Sequence, residues 1–317
     1  MSPERDVLLT FLLPPLTFYE YLHLLGKTDL LEPPSAEQYG QRFFVARDIA
    51  GLNEQFMAYL NFGGYPEVIF SYTIRADPSR FIKSDIIDKV LLRDLPSLYG
   101  IGDIQELNYL FTTLAFNTAN EISLQELSQN SGVAKNTIKR YIDYLEAAFL
   151  IKVVHRIDRN AKRFHRANYF KVYLTNPSMR AALFSPLEAD DAATPALVET
   201  AIFSQWFHSA QTLYYSRWPN GEVDIVMLGA DQKAAWAGEA KWSDRYCDKP
   251  QELESLVSFC HANKLSEALV TSRTKMLTCA VEGIKLPFVP ASSYCYTVGH
   301  NIVKEPKHHL QERHRVG

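Results

Sequence analysis

Four side chains in the last third of the sequence have types and spacing suited to phosphate chemistry. Asp224 lies in Glu222-Val-Asp-Ile-Val226, Glu239-Ala240-Lys241 follows fifteen residues later, and Glu199 precedes both in a segment of helical character. Residues i and i+2 of a strand project to one face, so Glu239 and Lys241 are expected to point to the same place. Asp224, on the preceding strand of the same hairpin, is expected beside Glu239. Two carboxylates and the Ala240 carbonyl would make an all-oxygen nest for Mg²⁺ or Mn²⁺. A metal there would lower the pKa of its water and neutralise a scissile phosphate. Lys241 would orient that water and offset the developing anion. Alternation places the apolar Val223, Ile225 and Ala240 on the opposite face, so the acids interrupt otherwise buried strands, which is costly unless they are paired or metal-bound. Two blander readings stay open: a surface salt bridge between Asp224 and Lys241, and a site used for binding only.

Those residues need a scaffold. Apolar periodicity and turn residues give a helix over Leu197–Ser209, strands over Thr212–Arg217 and Glu222–Leu228 about Pro219-Asn220-Gly221, and a strand over Ala234–Lys241. A helix over Pro250–Asn263 and a strand over Glu267–Thr271 complete an α/β unit, entered through an acidic linker, Pro186–Ala196. Upstream, Ile104–Phe116 reads as a helix, and Ser123-Leu-Gln-Glu126 as a capping box opening a short helix to Gln129. Ser131-Gly132-Val133 makes a turn into a helix over Lys135–Phe149, with Ile138, Tyr141, Ile142, Leu145 and Ala148 on one face. Strands over Phe149–Val154 and Tyr169–Leu174, joined by a basic loop, then complete a winged helix-turn-helix. The first hundred residues read as helical, with little sheet. Thr17 and Glu20 form a capping box, and Gly51–Phe62 ends at a left-handed glycine in Gly63-Gly64. Pro78–Leu98 directs Phe81, Ile82, Ile86, Val90 and Leu91 inward.

Charge separates these units. The chain carries −3 overall, yet residues 135–171 hold ten Lys/Arg against three acids, a net of +7 that leaves −10 elsewhere. Concentrated positive charge is the footprint of phosphate binding, although a solvated basic face is the bland alternative. Lys135, Asn136, Thr137, Lys139 and Arg140, near the start of the second helix, are expected to reach base edges and phosphates in a major groove. Arg156, Arg159, Lys162, Arg163 and Arg166 would supply the wing contact. Protein docking stays open, because this fold does not by itself imply DNA binding.

Four cysteines without CxxC spacing argue against a zinc ribbon and fit a reducing cytoplasm. No apolar run reaches the roughly 20 residues of a membrane span, and no signal peptide is expected. Gly26-Lys27-Thr28 has Tyr21 where a P-loop needs glycine, so no ATP site is expected. His300, His308, His309 and His314 are expected in a frayed C-terminal tail.

Asp224 with Glu239-x-Lys241 resembles the motif of the PD-(D/E)XK nucleases, in which Glu199 would be the further acid that completes or orients the metal site. The chain as a whole resembles the C-terminal two-thirds of a prokaryotic family of AAA-type ATPases ending in the domain of unknown function 4143. The resemblance is carried by Leu13-Pro-Pro-Leu-Thr-Phe-Tyr-Glu-Tyr21, Tyr59-Leu-Asn-Phe-Gly-Gly-Tyr-Pro-Glu67, Leu92-Arg-Asp-Leu95 and Tyr141-Ile-Asp-Tyr-Leu-Glu-Ala-Ala-Phe-Leu150. It implies a multidomain α and α/β chain. Residues 1–100 would be a helical, lid-like region, 101–185 a winged helix, and 186–317 a restriction-endonuclease-like α/β domain. Members of that family begin with a P-loop core absent from this sequence, so ATPase activity is not expected of this chain alone. The expected function is a DNA-associated, metal-dependent phosphodiesterase or nuclease, with nucleic acid as partner, no membrane, and a homo-oligomer or a partner ATPase as further associations. The alternatives are a non-catalytic DNA- or protein-binding regulator and the C-terminal part of an ATPase without its own ATP site.

Overall fold

The computed structural model describes residues 14–34, 43–163, 168–207, 209 and 211–304. The strands are β1 (Leu31–Glu32), β2 (Val45–Ala46), β3 (Glu121–Ser123), β4 (Ile151–Ile157), β5 (Tyr169–Leu174), β6 (Leu213–Trp218), β7 (Gly221–Leu228), β8 (Ala234–Glu239), β9 (Leu269–Ser272), β10 (Leu277–Val281) and β11 (Ile284–Pro290). β1 and β2 pair with each other; the other nine form one mixed sheet in the order β10-β11-β9-β8-β7-β6-β4-β5-β3. Helices pack on both faces, so the fold is mixed α/β.

The sheet does not stop at the acidic segment 186–196. β4 pairs antiparallel with β5 and, through Arg156↔Tyr215 and Ile157↔Ser216, parallel with β6. The segment expected to be a linker is itself fastened. The Asn61 side chain exchanges two hydrogen bonds of 2.9 Å with the Leu187 backbone, and Trp242 Nε1 donates to the Ala189 carbonyl at 2.9 Å.

Local sequence explains most of the helices. Thr17 caps Phe18–Leu24 reciprocally: its hydroxyl accepts from Glu20 N, and Glu20 Oε2 accepts from Thr17 N at 2.8 Å. Phe18 and Leu22 on that helix are fully buried, each contributing about 1.5–3 kcal/mol of transfer free energy. Helix Ile49–Phe62 ends on Gly63 in extended conformation, and Gly64 is the left-handed one, at φ +93°. A Cβ on Gly64 would come within 2.3 Å of Asn176 Nδ2. Over Pro78–Tyr99 the helix winds as π-helix at Ile82–Asp88 and Val90–Asp94. Ile82, Ile87, Leu91 and Leu95 are buried, whereas the expected Ile86 is half-buried. A wider π turn holds more residues, so the inward face advances by one.

Helices Ile104–Phe116, Leu124–Ser131 and Lys135–Ala147 accompany the antiparallel trio β3-β5-β4, with β3 following the first helix and β4 and β5 the third. Ser123 caps the second of them, and Gly132 at φ +72° makes the turn into the third. Ile138, Tyr141, Ile142 and Leu145 are buried, as their spacing requires.

Among the described residues, three hydrophobic clusters form the core. One joins the N-terminal helices with Thr194–Trp206 and Ala291–Lys304; one joins residues 82–95 to the 107–179 region; the third lies beneath helix Glu254–Asn263. The first hundred residues are therefore divided between two cores. Phe18 N donates to the buried Gln205 Oε1 at 2.9 Å, fastening the N-terminal helix to Thr194–Trp206. The frayed-tail expectation for His300 is corrected. It lies on helix Ala291–Lys304, with Tyr294, Cys295, Tyr296 and Val298 buried, and its ring packs on Tyr19 and Phe44 at centroid distances of 5.0 and 4.8 Å. Apolar periodicity through 294–298 holds that helix down. Arg166, His308, His309 and His314 lie outside the described residues. Among the described residues no helix is long and apolar enough to cross a membrane.

Candidate active site

Asp224 sits at an irregularity in the sheet. Tyr214 pairs with Val226 and Ser216 with Val223, so Tyr215 alone opposes both Asp224 and Ile225. Such a bulge re-aims side chains at the residue it inserts. It also breaks the expected common face: Val223 packs in the core under helix Glu254–Asn263, whereas Ile225 and Ala240 pack in the cluster with Thr194–Trp206. One extra residue ends the two-residue alternation on which that expectation rested.

Across the β7–β8 pair, Ile225 lies opposite Gly238, which brings Asp224 alongside Glu239. Lys241 follows the end of β8 and is fixed through its backbone: its N–H donates to Thr271 Oγ1 at 2.7 Å and its carbonyl accepts from that hydroxyl at 2.9 Å. Lys241 Nζ lies 2.6 Å from Glu239 Oε2 and 3.2 Å from Asp224 Oδ2. The Ala240 N–H donates to Asp224 Oδ2 at 3.0 Å, so the contact made by Ala240 is through its amide. Asp224, Glu239 and Lys241 thus converge, as their spacing implies.

Glu199, on helix Thr194–Trp206, faces the same cleft from the side of β5. Its Oε1 accepts from Tyr173 OH at 2.6 Å and from Lys171 Nζ at 3.0 Å. Lys171 also lies 2.8 Å from Glu222 Oε1 and 3.7 Å from Asp224 Oδ1, with its side chain 3% exposed. At the rim, Glu121 accepts from Tyr215 OH at 2.7 Å and lies within 3.6 Å of Arg156 and Arg217. Arg217 also reaches Glu222, at 3.2 Å. Sequence reasoning missed Lys171, Tyr173, Glu222, Glu121 and Arg217. For Lys171 a signal existed: it is the one charge in the apolar strand Tyr169-Phe-Lys-Val-Tyr-Leu174.

Glu121, Lys171, Glu199, Arg217, Glu222, Asp224, Glu239 and Lys241 line a cleft of about 400 Å³. Burial, reinforced by the Asp224 charge, pushes the Glu199 carboxyl up to about 7 against the pull of Lys171. Burial, with Asp224 beside it, also raises Glu239 well above the carboxylate range. Burial alone would raise Asp224, but Lys241 and Lys171 outweigh it and hold that carboxyl well below its ordinary value. Burial opposes the charge on the two lysines, and the surrounding carboxylates overcome it and raise both. The inner carboxylates Asp224, Glu239 and Glu199 outnumber the ammoniums of Lys171 and Lys241, and Glu222 adds a fourth acid that Lys171 shares with Arg217.

A hard divalent cation fits this donor chemistry. Asp224 and Glu239 already share one cation, and the acidic side chains lining the cleft outnumber its two lysines. Among the described residues, however, no trio of His, Cys, Asp or Glu side chains converges as a ready-made metal cage. The lysines stand between the acids.

Of the expected nucleic-acid contacts, Lys135, Asn136, Lys139 and Arg140 are exposed on helix Lys135–Ala147, and Thr137 is half-buried. Arg159, Lys162 and Arg163 are exposed after β4, Arg163 lying over the Tyr214 ring at 4.8 Å. Arg156 turns inward instead, donating to the Arg217 carbonyl at 2.9 Å and facing Glu121.

Residues 53–191 match a family described as a domain of unknown function, DUF8612. That span contains Lys171 and stops short of Glu199, Asp224, Glu239 and Lys241. The chain is 25% identical over 182 residues to the uncharacterized protein MJ1544 of Methanocaldococcus jannaschii, covering 55% of this chain and 40% of the relative. It is 23% identical over 187 residues to an uncharacterized protein of Haemophilus influenzae, covering 57% of this chain and 45% of the relative. The match therefore spans less than half the length of these curated relatives. No solved structure matches the chain.

Proposed function

We propose that this chain is a DNA-associated phosphodiesterase dependent on Mg²⁺ or Mn²⁺, with a PD-(D/E)XK-type site and a winged helix that docks the nucleic acid. The observation that carries the reading is Lys241 Nζ, 2.6 Å from Glu239 and 3.2 Å from Asp224 inside the cleft. The order helix, short strand, two helices and a two-stranded hairpin supports the winged-helix assignment.

In this reading Asp224 and Glu239 would hold the ion, with the Ala240 carbonyl as a third donor. The ion would supply Lewis acidity toward the phosphate and a more acidic water. Asp224 is kept ionised by the two lysines and fixed by the Ala240 N–H. Lys241, anchored at its backbone by Thr271, orients the attacking water and offsets charge on the phosphorane-like transition state. Glu199 is held by Tyr173 and acts on Asp224 through Lys171. Residues 1–100 take the part of an ATPase lid, 101–185 the docking module and 186–317 the hydrolytic module, and a nucleotide-binding partner supplies any ATP dependence.

Incubation of DNA with Mg²⁺ or Mn²⁺ and the native chain, Asp224→Ala or Lys241→Ala tests the assignment. Cleavage by the native chain and its loss in both variants is the expected result. Equal cleavage by all three would assign the activity to a contaminant and end the reading.

A further inference from the structure

The cleft contains a second cation, from outside the PD-(D/E)XK motif. Lys171 enters from β5, the far strand of the hairpin that follows the docking helix, and not from the β7–β8 pair that carries the PD-(D/E)XK residues. Its ammonium has oxygens on three sides: Glu222 at 2.8 Å, Glu199 at 3.0 Å and Asp224 at 3.7 Å. The Tyr215 ring lies 5.4 Å from the same nitrogen. The Lys171 side chain is 3% exposed, against 25% for Lys241. Asp224 divides its two oxygens between the lysines, Oδ1 toward Lys171 and Oδ2 toward Lys241.

Asp224 is therefore a shared wall between two cation positions. One lies toward Glu239 and the partly exposed Lys241. The other lies toward Glu199 and Glu222 and is filled by an ammonium that these two acids hold from separate elements, Glu199 being itself fixed by the Tyr173 hydroxyl. Phosphoryl-transfer sites commonly set two divalent ions about 3.5–4 Å apart, with one carboxylate between them. We infer that Lys171 is the fixed occupant of the second cation position, so that the cleft accepts a single divalent ion, on the Asp224–Glu239 side. This inference rests on the metal-dependent reading of the site. Lys171 is on this view a positioning residue that sets metal stoichiometry: its ammonium, between Glu199, Glu222 and Asp224, bars an ion from the Glu199–Glu222 side. Desolvating a lysine is costly unless carboxylates surround it, which accounts for three acids being placed around a residue outside the motif.

The count of bound Mn²⁺ per chain, from equilibrium dialysis with metal analysis, tests this without reference to activity. The native chain and Lys171→Arg, which keeps the charge, are expected to bind one ion. Lys171→Met, which keeps the stem and removes the charge, is expected to bind two. Where Lys171→Met folds only with metal present, the count is made on protein refolded in Mn²⁺, with circular dichroism to verify the fold. Two ions on the native chain, or one on Lys171→Met, would overturn the inference while leaving the metal-dependent site intact. No Mn²⁺ on the native chain would sink the metal-dependent reading, and the inference with it.

Discussion

Lys171 Nζ and Glu199 Oε1 lie 3.0 Å apart although they come from opposite sides of the segment expected to separate two domains. Lys171 belongs to β5, in the β4–β5 hairpin; Glu199 belongs to helix Thr194–Trp206. Together with the β4–β6 pairing, this ion pair makes the acidic cleft a product of residues on both sides of that segment. A fragment beginning near residue 186 would carry Glu199, Asp224, Glu239 and Lys241 but leave three carboxylates without Lys171.

Lys241→Met is expected to lower the cleavage rate by about 10²–10³-fold, the range seen when one preorganised electrostatic donor is removed. The measurement is initial rate against Mn²⁺ concentration. A rate within about threefold of native at saturating metal would remove Lys241 from the reaction and leave it a structural ion pair with Glu239.

Glu199 gives a pH dependence of stability. Its folded-state pKa is raised from 4.5 to about 7, burial being the largest cause. A carboxyl with a raised pKa binds more protons folded than unfolded between those values, so stability falls as pH rises through that window. The slope is at most about 1.4 kcal/mol per pH unit for one group. In EDTA, the thermal midpoint of the native chain is expected to drop from pH 5 to pH 7. Glu199→Gln is expected to drop less, because the buried charge is gone. Identical slopes would show that Glu199 keeps an ordinary pKa.

The parts of the site that were legible in the sequence are those set by near neighbours along the chain. Glu239 and Lys241 share a direction because a strand alternates, and the Thr17–Glu20 and Ser123–Glu126 caps follow from three-residue spacing. The parts that were not legible depend on how distant segments register. Lys171 finds its acids only after β4 pairs with β6, and nothing in the Tyr169–Leu174 pattern names its partners. Val223 was misplaced because a bulge at Asp224 changes the face by one residue, and Ile86 because π winding does the same in the Pro78–Tyr99 helix. β10, β11 and helix Ala291–Lys304 were absent from the reading, since the histidines near the C-terminus suggested a tail.

Gln205→Leu tests how the N-terminal helix is held. Gln205 is fully buried, accepts from Phe18 N at 2.9 Å, and donates to Tyr59 OH at 3.1 Å. Leucine fills similar volume but leaves the Phe18 N–H without that acceptor in the core, at a cost of about 1–3 kcal/mol. The urea midpoint is expected to fall with the slope unchanged. An unchanged midpoint would mean that water or a shift of the helix satisfies Phe18 at no cost.

The basic residues fall into two groups that salt dependence can separate. Lys139 and Arg140 are exposed on helix Lys135–Ala147, whereas Arg156 faces Glu121 and the Arg217 carbonyl. A phosphate contact releases counterions, and each one lost flattens log K against log salt by about 0.9 on duplex DNA. Lys139→Ala with Arg140→Ala is therefore expected to flatten the slope by about 2, weakening binding most at low salt. Arg156→Ala is expected to leave the slope unchanged, because that guanidinium is engaged within the protein, while lowering stability by leaving the largely buried Glu121 with Arg217 as its remaining cation. Fluorescence anisotropy over a salt series measures both. If Arg156→Ala flattens the slope and the double variant does not, the nucleic acid runs along the cleft and not along the helix, and the docking surface moves to the rim of the acidic site.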